Sequence, residues 1–171
     1  MVVQIGTKKL DNPVGVASGT FGYGSEYEEL IHLDRIGALF AKSVTIEARP
    51  GNDIPRLIET PSGLVNSIGL ANVGIDRYIE EKLPYFDSLP CPVIANIAGG
   101  LEEEYCTLIE RLTDRDEIWG FEVNLSCPNV KHGLAFGTDP KQVESLTARL
   151  RELTTLPLVV KLTPNVTDIG S

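Results

Sequence analysis

Short apolar runs alternate with longer amphipathic stretches along most of the chain. The apolar runs predict five buried β-strands, at residues 13–17, 38–41, 92–95, 120–123 and 158–160. Apolar strands that alternate with helices are typical of a parallel sheet covered by helices, because such strands are buried on both faces. The pattern therefore predicts an α/β fold.

Three helices are predicted between these strands. The first begins at Ser25, where Glu28 stands at the spacing of a capping box. The third begins at Asp139 and Pro140, an N-cap residue followed by proline in the first helical position, with Gln142 in the third. The apolar faces of the second and third helices consist of Tyr105, Leu108, Ile109 and Leu112, and of Val143, Leu146, Leu150 and Leu153.

Two segments depart from this alternation. Residues 1–10 resemble a small β-hairpin that could close one end of a barrel. Residues 44–73 are rich in proline, glycine and asparagine and are far longer than an ordinary strand-to-helix loop, so we expect a binding arm or lid. No repeat or linker divides the chain, and residues 1–171 are predicted to form a single domain.

Charge and cysteine content exclude several classes of protein. The 171 residues include 15 Lys and Arg against 24 Asp and Glu, a net charge of −9, with no basic cluster for nucleic acid or anionic membrane. No apolar run approaches the roughly 18 residues of a membrane-spanning helix. The three cysteines contain no Cys-x-x-Cys pair, which favours a reducing compartment and argues against a metal site. We expect a cytoplasmic protein without a membrane, nucleic-acid or metal partner.

Each predicted strand ends in a polar or cationic residue. These residues are Ser18, Lys42 with Ser43, Asn96, Asn124 and Lys161. In an α/β barrel, the carboxyl ends of the strands form the edge where ligands bind. Two lysines in otherwise apolar runs strengthen the prediction of a ligand site, although lysines that extend to solvent from strand ends would give the same pattern.

Two loops add candidate chemistry. Residues 66–72 place amides, a hydroxyl and a glycine in a row, which suits a planar heterocycle with an amide edge and also suits a generic turn. Cys127 precedes a proline in the polar loop after the fourth strand, a poor setting for core packing, although an inert, partly buried thiol remains the alternative. Cys91 and Cys106 are interpreted as core residues.

Together these motifs resemble class 1 dihydroorotate dehydrogenases over residues 13–169. The resemblance rests on Ala-Ser-Gly at 17–19, Lys42-Ser43, Asn-Ser-Ile-Gly-Leu at 66–70, Asn-Leu-Ser-Cys-Pro-Asn at 124–129 and Val-Lys-Leu-Thr-Pro-Asn at 160–165. A cysteine in the fourth-strand loop is typical of class 1. Residues 69–72 and 129–133 are more similar to class 1B, the NAD-linked form, than to class 1A.

This resemblance implies a (β/α)8 TIM barrel that uses flavin mononucleotide (FMN) to oxidise dihydroorotate to orotate in de novo pyrimidine (UMP) biosynthesis. Cys127 would be the catalytic base. The implied substrate contacts are Lys42, Asn66, Ser67, Ile68, Gly69, Leu70 and Asn124. The implied FMN contacts are Ser18, Lys42, Ser43, Asn96, Asn124 and Lys161. Class 1B enzymes also pair with an iron–sulfur flavoprotein subunit in a heterotetramer, whose FAD and 2Fe-2S cluster pass electrons to NAD+.

The length of the chain is short for that fold, since a complete barrel needs at least about 200 residues. We therefore expect the N-terminal hairpin and about five of the eight strands, in a fragment that binds FMN weakly or not at all alone. Two alternatives remain open. One is a Schiff-base aldolase that uses Lys42 or Lys161, and the other is a non-catalytic truncated barrel that binds another subunit.

Overall fold

The computed structural model describes residues 1–126, 136–164 and 166–168. Its strands are β1 (Val3–Ile5), β2 (Lys8–Leu10), β3 (Gly15–Val16), β4 (Ala38–Phe40), β5 (Leu57–Thr60), β6 (Gly63–Asn66), β7 (Val93–Ile97), β8 (Gly120–Asn124) and β9 (Leu158–Lys161). Its α-helices are α1 (Gly74–Arg77), α2 (Leu83–Asp87), α3 (Glu102–Leu112) and α4 (Pro140–Leu153).

Five parallel strands form the central sheet in the order β3-β4-β7-β8-β9. Each strand pairs with the next strand of the sheet along the chain, and the crossovers pass through helices or long loops. That order is the arrangement of a β/α barrel, and it confirms the predicted fold class. All five predicted strands are present with shifted ends: β3 has two residues, and β7 continues to Ile97.

Helices α3 and α4 pack against one face of this sheet. The four predicted apolar residues of α3 are all buried, as are Leu146 and Leu150 of α4. Asp139 caps α4 as predicted, since its carboxylate accepts hydrogen bonds from the Lys141 N–H at 3.0 Å and from Gln142 Nε2 at 3.1 Å. Periodicity and capping signals therefore located both helices correctly.

The predicted helix at Ser25 is wrong. Residues Ser25–Tyr27 form only a short 3-10 turn without a side-chain cap. The Glu26 carboxylate, and not that of Glu28, accepts a hydrogen bond from the backbone here, from the Tyr23 N–H at 3.0 Å. The predicted capping box with Glu28 does not form. Leu30 is largely exposed, and an apolar stripe that could hold a helix on the sheet is missing here.

The N-terminal hairpin closes one end of the sheet, as predicted. Strands β1 and β2 pair antiparallel, and Leu10 packs in a small cluster with Ala38 and Ile94. Phe40 and Trp119 lie partly buried against this cluster. The amino ends of the strands are therefore covered by apolar side chains.

Residues 44–73 project as an arm that contains the antiparallel hairpin β5–β6. Its base is joined by two backbone hydrogen bonds between Arg49 and Asn72, of 3.0 and 2.9 Å. A helical segment that the sequence did not predict follows, in which a π-helical turn, Tyr78–Lys82, separates α1 from α2. Within the part of the chain that the structure describes, no helix has the length and apolar character needed to cross a membrane.

Candidate active site

The two faces of the parallel sheet differ in polarity. Side chains alternate between faces along each strand. One face packs against the helices through Leu39, Val93, Ala95, Phe121 and Val123. The opposite face is apolar near the hairpin but becomes polar toward the carboxyl edge, where Asn96 pairs in register with Glu122 and Asn124 with Lys161. These four residues form what we call the polar face.

Asn96 and Glu122 form a buried pair on this face. Asn96 is 0% exposed and Glu122 8%, and Asn96 Nδ2 donates a hydrogen bond to the Glu122 carboxylate. Asn96 Oδ1 is buried and has no hydrogen-bond partner among residues 1–126, 136–164 and 166–168. An unsatisfied buried acceptor costs about 1–3 kcal/mol, so an N–H or O–H group of a ligand that binds this oxygen would relieve that cost.

Asn124 has the opposite arrangement. Its Oδ1 accepts hydrogen bonds from the Ser126 N–H at 3.2 Å and from Ser126 Oγ at 2.7 Å. Its backbone carbonyl accepts from the Tyr105 hydroxyl at 3.0 Å, which ties the end of β8 to α3. The side-chain oxygen is thus used within the loop, and the Nδ2 group is the part of the amide left to donate.

Lys42 and Lys161 supply positive charge at the same edge. Both are half-buried, and neither ammonium group forms an ion pair with any residue in the described ranges. Phe40 pairs with Ile94 in the sheet. Lys42 and Asn96 each follow this pair by two residues, so they lie at about the same level of the sheet. With Glu122 as the nearby acid, two cations against one anion give this edge a net positive charge, which favours an anionic ligand.

The two predicted serines lie beside Lys42 at the ends of β3 and β4. Ser18 Oγ donates a 2.8 Å hydrogen bond to the Ala41 carbonyl. Ser43 is buried, and the Lys42 N–H donates to the Gly22 carbonyl at 2.9 Å. These contacts fix the chain around Lys42, so the structure brings Ser18, Lys42 and Ser43 together.

The arm holds residues 66–70 in a fixed loop. Asn52 Nδ2 donates to Ser67 Oγ at 2.8 Å, and the Asn52 N–H donates to the Ile68 carbonyl at 3.1 Å. Gly69 has a φ of +73°, and a Cβ atom there would lie 2.5 Å from the Asn52 backbone nitrogen. Only glycine fits this approach. Leu70 also has a positive φ, of 55°.

Asn72 connects this loop to the sheet. Its Nδ2 donates to the Leu70 carbonyl at 2.9 Å, and its Oδ1 accepts from the Thr45 N–H at 3.2 Å. Thr45 follows Lys42 by three residues. Between the described residues, hydrogen bonds link the loop 66–70 to residues 52, 56 and 72 rather than directly to Lys42, Asn124 or Lys161.

Cys127, the predicted base, lies outside the described residues. Cys91 is buried at the amino end of β7 and Cys106 is buried on α3, as predicted. Burial raises the pKa of both thiols, which makes them poor nucleophiles. Of the described residues, no group of three or more His, Cys, Asp and Glu side chains could hold a metal ion.

Two residues of the site were missed by sequence reasoning. Glu122 gave a detectable signal, because an acid in an otherwise apolar strand stands two residues before Asn124 and therefore on the same face. Asn72 stands in the segment 66–72 that the sequence singled out, but its role in holding the loop was missed because it depends on contacts with Thr45, which is 27 residues away.

The fold defines part of a (β/α)8 barrel, and the cationic edge at the carboxyl ends of its strands is the candidate ligand site. A family model described as dihydroorotate dehydrogenase matches residues 1–171. The chain therefore belongs to the dihydroorotate dehydrogenase family.

Individual relatives agree with this assignment. A protein named dihydroorotate dehydrogenase B (NAD(+)), catalytic subunit, from Geotalea uraniireducens is 49% identical over 168 residues, 98% of this chain and 55% of that protein. The protein of the same name from Desulforamulus reducens is 50% identical over 171 residues, 99% of this chain and 56% of that protein. The chain thus spans about half the length of the curated relatives it matches.

A solved structure supports the fold. The crystal structure of DHODH from Eimeria tenella in complex with ferulenol superposes with a TM-score of 0.74. The match covers 97% of this chain and 53% of that chain at 17% sequence identity. At that identity the likeness shows the fold alone, which agrees with the partial barrel of five parallel strands.

Proposed function

We propose that this protein oxidises dihydroorotate to orotate in pyrimidine biosynthesis with FMN as its cofactor. The observation that carries the proposal is the carboxyl edge of the barrel sheet. There the polar face and the neighbouring Lys42 bring together two oriented amides and two lysines that form no ion pair with any described residue. Membership in the dihydroorotate dehydrogenase family supplies the reaction.

The residues at this edge fit FMN. Its isoalloxazine ring has an edge of hydrogen-bond donors and acceptors, and the buried, unpartnered Asn96 Oδ1 and the Asn124 Nδ2 group complement both kinds. The proposed FMN contacts are Ser18, Lys42, Ser43, Asn96, Asn124 and Lys161. When bound, FMN accepts a hydride from the substrate. Lys161 would stabilise negative charge on the ring by its proximity.

The substrate dihydroorotate is a carboxylate with a ring of amide groups. Lys42 suits its charge, and the Asn124 Nδ2 group and the loop 66–70 suit its polar edge. The proposed substrate contacts are Lys42, Asn66, Ser67, Ile68, Gly69, Leu70 and Asn124. Since Asn52 and Asn72 already hold that loop, its donors and acceptors are fixed before the substrate binds, which lowers the entropic cost of binding.

Cys127 is the proposed general base, which removes the proton from C5 of the ring. It follows the end of β8 by three residues, and Asn124 and Ser126 are tied together just before it. An ordinary thiol has a pKa of about 8.5, so turnover is expected to rise toward alkaline pH.

The names of the relatives support an NAD-linked enzyme with a separate partner. We propose that the protein is the catalytic subunit of a heterotetramer. Its partner would be an iron–sulfur flavoprotein subunit, which carries FAD and a 2Fe-2S cluster and passes electrons to NAD+ in the cytoplasm. The term "catalytic subunit" in those names is the observation that supports a second subunit.

The test compares Cys127→Ser with the matched control Cys91→Ser in the native protein. We expect Cys127→Ser to lower dihydroorotate oxidation by about 100-fold or more, because general-base catalysis is lost, while FMN content is unchanged. The control should keep its activity, since Cys91 lies at the opposite end of β7. Full turnover in Cys127→Ser would remove this residue from the mechanism, and an FMN-bound wild type that leaves dihydroorotate unchanged would contradict the function itself.

The unpaired lysines also fit the alternative of a Schiff-base aldolase. Such an enzyme would form an imine between Lys42 or Lys161 and a keto substrate, and borohydride would trap the imine as a stable adduct. We expect no adduct, because family membership favours the oxidoreductase. An adduct on either lysine, found by mass spectrometry, would contradict that expectation.

A further inference from the structure

We propose that Glu122 is a positioning residue that fixes the amide of Asn96, so that Oδ1 serves as the acceptor for an imide N–H of the ligand. The inference rests on the proposed function, because FMN and dihydroorotate each carry an N–H between two carbonyl groups. It assigns a role to the one acidic side chain recorded on the polar face among the described residues.

The orientation of the amide follows from the chemistry of its partner. Asn96 and Glu122 are register partners on β7 and β8, and both are buried. A carboxylate only accepts hydrogen bonds, so Asn96 must turn its NH2 group toward Glu122 and its Oδ1 away. A neutral amide at position 122 would accept or donate and would leave both orientations of Asn96 open.

The neighbouring amide is fixed in the opposite sense. The hydroxyl and N–H of Ser126 bind Asn124 Oδ1, which leaves the Asn124 Nδ2 group to donate. An imide edge presents a carbonyl, an N–H and a second carbonyl in a row. One fixed acceptor on Asn96 and one fixed donor on Asn124, two residues beyond Glu122 on the same face, match that alternation.

A purely electrostatic role for Glu122 has less support. Neither Lys42 nor Lys161 is within ion-pair distance of it, and the hydrogen bond recorded for its carboxylate within the described ranges is the one from Asn96. The unpartnered, buried Asn96 Oδ1 is the direct consequence of this pairing. An N–H from the ligand would satisfy it.

The test measures discrimination against ligands that lack the N–H. The Kd of FMN is compared with that of 3-methyl-FMN, and the KM of dihydroorotate with that of its N3-methyl derivative. The native protein, Glu122→Gln and the control Glu103→Gln, an exposed acid on α3, are measured in parallel. The preference for the unmethylated ligand is the ratio of the two Kd values or of the two KM values. We expect Glu122→Gln to lower this ratio about tenfold and the control to leave it unchanged.

The two comparisons, of FMN and of dihydroorotate each with its methylated form, identify which ligand donates the N–H. A reduced preference for FMN assigns the acceptor to the cofactor, and a reduced preference for dihydroorotate assigns it to the substrate. Either result supports the role of Glu122. An unchanged preference in both pairs, in a folded Glu122→Gln protein, would overturn it.

A double variant separates orientation from charge and from folding. In Asn96→Asp/Glu122→Gln, the new amide at position 122 donates to the new carboxylate at position 96, whose second oxygen still accepts from the ligand. The total charge of the pair is unchanged. We expect this variant to regain the wild-type preference even if Glu122→Gln alone fails to fold, and failure to regain it in a folded protein would contradict the proposal.

The FMN measurements also keep the two proposals apart. If FMN binding follows the expected pattern but dihydroorotate is not oxidised by the native protein, the proposed function fails and the role of Glu122 stands. If dihydroorotate is oxidised but Glu122→Gln has the same ligand preferences as the native protein, the proposed function stands and the role of Glu122 fails.

Discussion

The two faces of the parallel sheet are built from the same strands and have opposite properties. On β8, Phe121 and Val123 are buried against the helices, while Glu122 and Asn124 face the other way with their polar groups only partly satisfied. The helix-packed face is apolar and closed. Among the described residues, the polar face carries an acceptor without a partner, Asn96 Oδ1, and Lys161, which like the neighbouring Lys42 forms no ion pair there.

Along each strand, side chains that stabilise the fold therefore alternate with side chains of the candidate site. Close packing on one face holds the strands in register, and that register brings Asn96 beside Glu122 and Asn124 beside Lys161 on the other. Substitutions on the first face should therefore lower the free energy of unfolding. Substitutions on the second face should change ligand binding with little effect on folding.

Phe121→Ala should have the largest effect, on stability. The side chain is fully buried, and its removal leaves a cavity between β8 and the helices. We expect the free energy of unfolding to fall by about 4 kcal/mol, measured by urea denaturation of the native protein. The milder Phe121→Leu should cost about 1 kcal/mol. A loss as small for alanine as for leucine would contradict a closely packed face.

Lys161→Met tests the polar face. The variant keeps the length of the side chain and removes the charge, so FMN should bind about 100-fold more weakly, a change of about 2.7 kcal/mol. Its free energy of unfolding should stay within about 0.5 kcal/mol of the wild type. Lys141→Met, at an exposed position of α4, is the control and should bind FMN normally. Equal affinities in the two variants would show that Lys161 is an ordinary surface lysine.

A pair of tyrosines gives the smallest predicted effect. The Tyr78 hydroxyl is buried and has no hydrogen-bond partner in the part of the chain that the structure describes, and burial raises the pKa of Tyr78. The single hydrogen of the Tyr105 hydroxyl is instead shared between the carbonyls of Gly99 and Asn124, both at 3.0 Å. Tyr78→Phe should leave the free energy of unfolding unchanged or higher, and Tyr105→Phe should lower it by about 1 kcal/mol. The reverse order in thermal or urea unfolding would contradict these assignments.

Local signals located the regular elements of the sheet. Apolar runs, interrupted in β8 by Glu122 alone, predicted β7 and β8, and the Asp139–Pro140 cap predicted the start of α4, because these signals act within a few residues. The expected helix at Ser25 was wrong because a capping pattern without an apolar stripe has no surface to pack on. The helical segment from Gly74 to Asp87 went unpredicted although Ile75, Tyr78 and Leu83 stand at helical spacing and are buried. The hairpin of the arm went unpredicted because its apolar residues are exposed and do not alternate between a buried and an exposed face.

In the candidate site too, local sequence signals identified some residues, while contacts between distant residues could not be predicted. Strand ends can be read from sequence, so Lys42, Asn96, Asn124 and Lys161 could be named in advance, and the structure brings them to one edge. Glu122 could not be linked to Asn96 from the sequence, because cross-strand register joins residues that are 26 positions apart. The orientation of the two amides likewise depends on hydrogen bonds that only the structure provides, from Asn96 Nδ2 to Glu122 and from Ser126 to Asn124 Oδ1.

The polar face is proposed to bind FMN beside dihydroorotate. Anaerobic mixing of the native, FMN-bound protein with dihydroorotate tests it most directly. We predict that the visible absorbance of the flavin bleaches and that orotate forms in an amount equal to the flavin reduced. A flavin-bound protein whose absorbance does not change when dihydroorotate is added would contradict this prediction.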